Sequence, residues 1–276
     1  MSILKETLDL CKIYNIHPQK SKGQNFLIQA DVYDKIIAAA DLRETDTVLE
    51  VGPGLGFLTL NMANRVKKVL AVELDKKIVE VLETIILSKG VKNIKLFTAD
   101  ILKARGSNFS KLGPYKVVSN LPYNISSVFL RKFLSLASKP ELMVLMLQKE
   151  VVDRIMAQAP KMNLLALSVQ FYAEVEKIMD VPADNFYPVP QVDSAVIKII
   201  PNKKRLATYE EEKKFFKILR IGFSSKRKML KNNLASALSL NLKDIEKILI
   251  ELNLNSNIRA ESLKISDWLK LYQYLK

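Results

Sequence analysis

Between about residues 47 and 200 the chain alternates short β-rich apolar runs with helical patterns, and this alternation limits its possible folds more than any other feature. The runs are TVLEVG (47–52), KVLAVE (68–73), IKLFTA (94–99), YKVVSN (115–120), LMVLML (142–147), SVQFYAEVEKI (168–178) and SAVIKII (194–200). Most are almost continuously apolar, as strands buried on both faces must be. Helices are predicted at about 58–66, 75–88, 126–137 and 148–158. In the second of these, Ile78, Val81, Leu82 and Ile85 recur at spacings of three and four. Asp75 and Ser126 are suited to be N-caps. Strand–helix alternation of this kind predicts an α/β fold with a doubly wound, Rossmann-like sheet. The last two runs are joined by a proline-rich loop (181–193) with no helix, which predicts antiparallel pairing at the end of an otherwise parallel sheet.

Beyond residue 201 the strand runs stop. Helical patterns follow at about 208–222, 226–239, 243–252 and 266–275, with PNKKR (201–205) as the linker. The expected division is therefore 1–200, with 1–46 as an N-terminal helical segment, and a smaller all-helical domain at 201–276. The net charge is +14, and between Pro201 and Lys231 eleven Lys or Arg face three Glu. An excess of this size points to a polyanionic partner. One Cys and one His exclude a disulfide framework and multi-histidine or four-cysteine metal sites, so no metal is expected. No run reaches the roughly 18 apolar residues of a membrane span, and the N-terminus lacks a secretory pattern, so a cytoplasmic protein without a membrane partner is expected.

Glu50-Val51-Gly52-Pro53-Gly54-Leu55-Gly56 follows the first strand and opens a helix. Glycines there allow a tight turn and a close approach of backbone to ligand. Phe57 stands where a dinucleotide fingerprint would carry its last glycine. Glu73 closes the second strand, 21 residues after Gly52, where a carboxylate can accept from both ribose hydroxyls. Asp100 closes the third, where it can accept from an adenine amino group or cap a helix. All three lie at carboxyl ends of adjacent strands. An acid such as Glu50 beside the loop suits a cationic ligand better than a pyrophosphate, which favours S-adenosylmethionine.

Asn120-Leu121-Pro122-Tyr123 closes the fourth strand. An exocyclic adenine amine is a poor nucleophile because its lone pair is delocalised. An Asn side-chain oxygen and a backbone carbonyl can each accept one of its N–H bonds, and these bonds strengthen as the nitrogen becomes tetrahedral and positive. Pro122 shapes the turn and brings no N–H to compete. Tyr123 offers a face for base stacking. In-line methyl transfer needs no general base, in keeping with the scarcity of His and Cys.

The ordered set Lys22-Gly23-Gln24-Asn25-Phe26-Leu27, Glu50-Val51-Gly52-Pro53-Gly54, Asn120-Leu121-Pro122-Tyr123-Asn124-Ile125-Ser126, Gln148-Lys149-Glu150-Val151 and Phe186-Tyr187-Pro188-Val189-Pro190-Gln191-Val192-Asp193-Ser194 resembles the ribosomal RNA adenine dimethyltransferases, most of all their bacterial small-subunit branch. The resemblance runs from about residue 15 to the end and includes Arg227-Lys228 and Asn232-Asn233-Leu234. It implies a class I S-adenosylmethionine-dependent methyltransferase sheet. It also implies dimethylation of two adjacent adenosines in the 3′-terminal hairpin of small-subunit (16S) RNA during subunit assembly, by a monomer. By position, it implies that Asn25 and Leu27 meet the methionine end of the cofactor and Gly52 and Gly54 its glycine-loop side. Glu73 would hold the ribose, Asp100 the adenine, and Asn120 would lie between cofactor and target. Phe186 would sandwich the target adenine against Tyr123. Arg220, Lys226, Arg227, Lys228 and Lys231 would bind RNA phosphates. One departure is Asn163-Leu164-Leu165-Ala166, where relatives carry a Tyr-Gly pair, so the 158–166 loop is where flexibility or RNA contact would differ.

Two alternatives stay open on the residues. One is a large-subunit RNA methyltransferase of the macrolide-resistance type, which has a similar NLPY loop. The other is a non-catalytic assembly factor with an idle pocket. Cys11 and Trp268 are expected to pack in the core and His17 to have a packing or surface role.

Overall fold

The computed structural model describes residues 2–19, 23–202 and 208–276. Lys22 and residues 203–205 of the linker lie outside that range. The chain forms two compact units, Met1–Val152 with Glu174–Pro201, and Asp153–Ala173 with Asn202–Lys276.

The first unit is built on a seven-stranded sheet and a separate two-stranded pair. In chain order its strands are β1 (Phe26–Leu27), β2 (Thr47–Val51), β3 (Lys68–Glu73), β4 (Ile94–Thr98), β5 (Lys116–Asn120), β6 (Leu142–Gln148), β7 (Ala173–Val181), β8 (Phe186–Tyr187) and β9 (Ser194–Pro201). The large sheet has the order β4-β3-β2-β5-β6-β9-β7, while β1 and β8 form a separate antiparallel pair. β4, β3, β2, β5 and β6 run parallel, and β9 runs antiparallel to β6. The apolar runs are buried as their composition requires: Leu142, Met143, Val144, Leu145, Met146 and Leu147 of β6 are all buried. After β4 the chain crosses to the other side of β2 to form β5. That reversal makes the gap between β2 and β5 the switch point at which ligands of such sheets bind. The helix Lys76–Ser88 buries Ile78, Val81, Leu82 and Ile85 and is capped by Asp75, whose carboxylate accepts from the Lys77 N–H at 3.1 Å.

Three expectations need correction. Ser168–Tyr172 is not strand but the end of a helix, Leu164–Tyr172, and β7 begins only at Ala173. The Asn163 side-chain Oδ1 caps that helix by accepting from Leu165 and Ala166 N–H, each at 3.0 Å. The run is apolar on nearly every side, so no periodicity distinguishes helix from strand. Ser126 is not an N-cap. It is the first residue of the helix Ser126–Ser135, and its hydroxyl donates to the Pro122 and Tyr123 carbonyls. Third, residues 153–173 group with the helical unit although they precede residue 200. Aromatic packing explains this: Phe171 stacks on Phe215 at 5.0 Å, and the Tyr172 hydroxyl donates to Glu212 at 2.9 Å.

The second unit contains helices Leu164–Tyr172, Tyr209–Gly222, Leu230–Leu238, Leu242–Glu251 and Ile265–Leu275. Trp268 is fully buried and stacks on Phe223 at 5.8 Å. A Cβ on Gly222 would lie 2.3 Å from the Trp268 ring, so only glycine fits there. In the first unit Cys11 is buried in the helix Ile3–Ile13, where burial pushes its thiol pKa up, and His17 is exposed. Among the described residues no helix is long and apolar enough to cross a membrane.

Candidate active site

A cavity of about 340 Å³ opens at the switch point of the sheet. Its walls are the 23–27 segment, the glycine loop after β2, the ends of β3 and β4, and the 120–125 segment after β5. Asn25, Leu27, Glu50, Gly52, Gly54, Glu73, Asp100, Asn120, Leu121, Pro122 and Tyr123 all line it. Thus eleven residues singled out from separate stretches of sequence meet in one cleft.

The glycine loop is shaped by its neighbours. Gly52 has φ +67°, and a Cβ there would lie 3.1 Å from Pro122 Cγ, so the loop and the Asn120–Tyr123 turn sit back to back across the β2–β5 gap. Its N–H donates to the Val72 carbonyl at 2.9 Å. The carboxyl of Glu50 is almost wholly buried and accepts from the Thr59 hydroxyl at 2.6 Å. Burial pushes its pKa up to about 8, against the Thr59 hydrogen bond and with help from the negative charge of Glu73. A cation entering the cleft would favour its ionised form.

Glu73 accepts from the Leu74 and Asp75 N–H groups at 2.7 and 3.0 Å, which fixes its carboxylate at the rim. Burial raises its pKa and these bonds oppose the rise. Asp100 acts as a cap and also lines the cleft. One oxygen accepts from Leu102 N–H at 2.9 Å, capping the turn Ile101–Lys103, while the residue also lines the cleft. The Leu121 N–H donates to the Met146 carbonyl at 3.2 Å, which ties the backbone after Asn120 to β6. The Tyr123 hydroxyl lies 2.7 Å from the hydroxyl of buried Ser194, which pins the ring, and burial raises its pKa.

Asn25 bears most directly on occupancy. Its Oδ1 is buried and has no hydrogen-bond partner among the described residues. An orphaned acceptor costs about 1–3 kcal/mol, which a ligand donor would recover. Together with the buried acid of Glu50 and the backbone cradle at Gly52, this donor-seeking wall fits the ammonium-bearing, cationic S-adenosylmethionine.

Residues 16–276 match the family described as ribosomal RNA adenine dimethylase. The chain belongs to that family. Curated relatives within reach of this ribosomal RNA adenine dimethylase include "Ribosomal RNA small subunit methyltransferase A" of Dehalococcoides mccartyi (strain CBDB1), 43% identical over 98% of this chain and 92% of the relative. A protein of the same name from Crocosphaera subtropica is 39% identical over 93% of this chain and 98% of its own. Among solved structures, a dimethyladenosine transferase from Plasmodium falciparum superposes with a TM-score of 0.77 at 27% identity, covering 89% of this chain and 95% of that one. The 23S rRNA methyltransferase ErmE superposes with a TM-score of 0.74 at 24% identity over 91% and 99%, a likeness of fold.

Phe186 is a correction. It does not line the cleft of this ribosomal RNA adenine dimethylase. Opposite Leu27 in the β1–β8 pair, it is 1% exposed and packs in the core with Leu27, Tyr33 and Ile36. Side chains alternate along a strand, so Phe186 turns inward while Tyr187 takes the other face. Tyr33, Thr59, Leu74 and Asp75 belong to the site or its support and were not read from sequence. Tyr33 donates to the Leu27 carbonyl at 2.8 Å, and Asp75 accepts from the Gln24 amide at 3.1 Å. Only the N-cap pattern at Asp75 carried a local signal.

The basic residues lie in the helical unit. Arg220, Lys226, Arg227 and Lys228 are exposed. The loop carrying the last three is held from beneath by the buried Asn233 amide, which donates to Gly222 and Ser225 carbonyls at 2.7 and 3.2 Å. Lys231 differs: its ammonium pairs with Glu246 and donates to Asn257 at 2.9 Å, and its side chain is 12% exposed. It braces the helices and is not presented to a phosphate.

Proposed function

We propose that this ribosomal RNA adenine dimethylase transfers methyl groups from S-adenosylmethionine to the exocyclic amines of two adjacent adenosines in the 3′-terminal hairpin of small-subunit ribosomal RNA, during subunit assembly. It acts as a cytoplasmic monomer, with the first unit catalytic and the helical unit binding RNA. The observation that carries this reading is the meeting of Asn25, Glu73, Asp100 and Asn120 in one switch-point cleft, with an acceptor on Asn25 left unsatisfied among the described residues.

S-adenosylmethionine, when bound, supplies an electrophilic methyl group. Asn25 and Leu27 hold its methionine end, Gly52 and Gly54 let it approach the backbone, Glu73 takes the ribose hydroxyls and Asp100 the adenine. Asn120 and the Leu121 carbonyl accept the two N–H bonds of the target amine. They draw the nitrogen lone pair out of conjugation and stabilise the positive charge that develops on it. Tyr123, pinned through Ser194, stacks on the target base, a contact worth about 1–3 kcal/mol. Phe186 acts from behind, as core beneath β1. The amine loses its proton to water, so no side chain is needed as a base. After the first transfer one N–H remains to be held, and the cleft beside Tyr123 must admit the first methyl. Arg220 and Lys226–Lys228 neutralise RNA phosphates, which position the substrate without reading its sequence.

Asn120→Ala tests the reading. Methyl transfer to unmethylated small subunits falls at least about 100-fold, the usual cost of a lost transition-state hydrogen bond, while subunit binding in a filter assay is retained. Undiminished transfer would overturn the role given to Asn120, whereas absence of transfer by the unmutated protein would point to the idle-pocket alternative.

A further inference from the structure

The ammonium of Lys132 takes no part in the chemistry above, yet it occupies an unusual position. It sits in the helix Ser126–Ser135, directly after the Asn120–Tyr123 segment. Its Nζ donates to three main-chain carbonyls of the turn after β4: Ile101 at 3.4 Å, Leu102 at 2.6 Å and Ala104 at 2.5 Å. A lysine has three N–H bonds and no acceptor, so this set can use its full capacity. The same turn is capped at its other end by Asp100, through the Leu102 N–H. Asp100 and Ile101 line the cleft. The helix that carries Lys132 is itself tied to the target loop, since Ser126 donates to the Pro122 and Tyr123 carbonyls. A cation so placed also answers the carboxylate of Asp100, whose charge raises the lysine pKa against the larger lowering by burial.

We propose that Lys132 is a positioning residue that fixes the Asp100–Ala104 turn, and with it the adenine wall of the cofactor cleft, against the helix that follows the target loop. The proposal rests on the cofactor reading of the cleft. It assigns Lys132 no contact with substrate or cofactor. Without the ammonium the Ile101, Leu102 and Ala104 carbonyls lose their donor and Asp100 loses a neighbouring positive charge, so the turn would drift from the cleft.

The test is Lys132→Met, which keeps the stem and removes the donors, with Lys132→Arg as the variant that keeps charge and donors. S-adenosylhomocysteine is the probe, titrated calorimetrically without RNA. Lys132→Met is expected to raise its Kd about tenfold, one decade of affinity, and to weaken 5′-methylthioadenosine by the same factor, since that probe keeps the adenosine and lacks the methionine end. Amide hydrogen exchange of residues 101–104 should quicken, and Lys132→Arg should restore most of the affinity. The combination with Asp100→Ala should be less than additive, because both act through one turn. An unchanged Kd in a folded Lys132→Met protein overturns the proposal, as does a loss seen for S-adenosylhomocysteine but not for 5′-methylthioadenosine. If Lys132→Met does not fold, Lys132→Gln carries the same comparison. Failure of the unmutated protein to bind S-adenosylhomocysteine would instead overturn the cofactor reading.

Discussion

Replacing Glu50 with Gln should change how stability depends on pH, and the structure sets both the sign and the window. The carboxyl is 2% exposed and carries a pKa of about 8, raised chiefly by burial from an ordinary value of 4.5. Below pH 4.5 the group is protonated in both the folded and unfolded chain, so stability does not change with pH through this group. Between 4.5 and about 8 only the unfolded chain releases the proton, so folding loses about 1.4 kcal/mol per pH unit from this one group. Above about 8 both states are ionised and the loss levels off. The stabilisation is therefore complete in acid and is lost as pH rises through the folded pKa. Gln preserves the shape and can still accept from the Thr59 hydroxyl. The difference in unfolding free energy between Glu50→Gln and the parent chain should then grow by roughly 2–3 kcal/mol from pH 5 to pH 7 in favour of the variant. Urea melts of both proteins across that range, read by far-ultraviolet circular dichroism, measure it. A difference independent of pH would refute the reasoning and show that Glu50 is ionised in the folded protein.

Three further outcomes follow from the same geometry. Lys116 donates to the Ala40 and Asp41 carbonyls and pairs with Asp46 at 2.8 Å with both side chains largely buried. Asp46→Ala should thus cost about 3 kcal/mol in a denaturant melt, whereas Asp41→Ala, which breaks an exposed pair with Arg43, should cost under about 1 kcal/mol. Gly222→Ala must displace the Trp268 ring, and the Trp fluorescence maximum should shift to the red with a loss of at least about 2 kcal/mol. Replacing Lys226, Arg227 and Lys228 together by Ala should flatten the log–log salt dependence of RNA binding by about 2–3, at roughly 0.7–0.9 per lost phosphate contact. An unchanged slope would remove these residues from the RNA surface, and Lys231→Ala should lower stability rather than the slope.

The sheet and its cleft were readable in sequence because their causes are local. Strands buried on both faces must be apolar throughout, and a loop that passes within 3.1 Å of Pro122 at a would-be Cβ must carry Gly52. Glu73 and Asp100 were found because strand ends are fixed by the same apolar runs. Residues 168–172 were misread because a helix buried on most of its surface leaves no period to detect. Phe186, Lys231 and Lys132 were beyond reach for another reason. Their roles depend on partners distant in sequence: Leu27 across the β1–β8 pair, Glu246 and Asn257 on later elements, and the carbonyls of residues 101–104. No residue type or spacing near those side chains announces such contacts.

The most direct measurement of the central claim is to incubate the protein with methyl-labelled S-adenosylmethionine and, in parallel, unmethylated small and large ribosomal subunits, then map the labelled nucleosides by nuclease digestion. The account predicts label in small subunits alone, as N6,N6-dimethyladenosine at two neighbouring positions of the 3′-terminal hairpin. Label in the large subunit, or none in either, would contradict it.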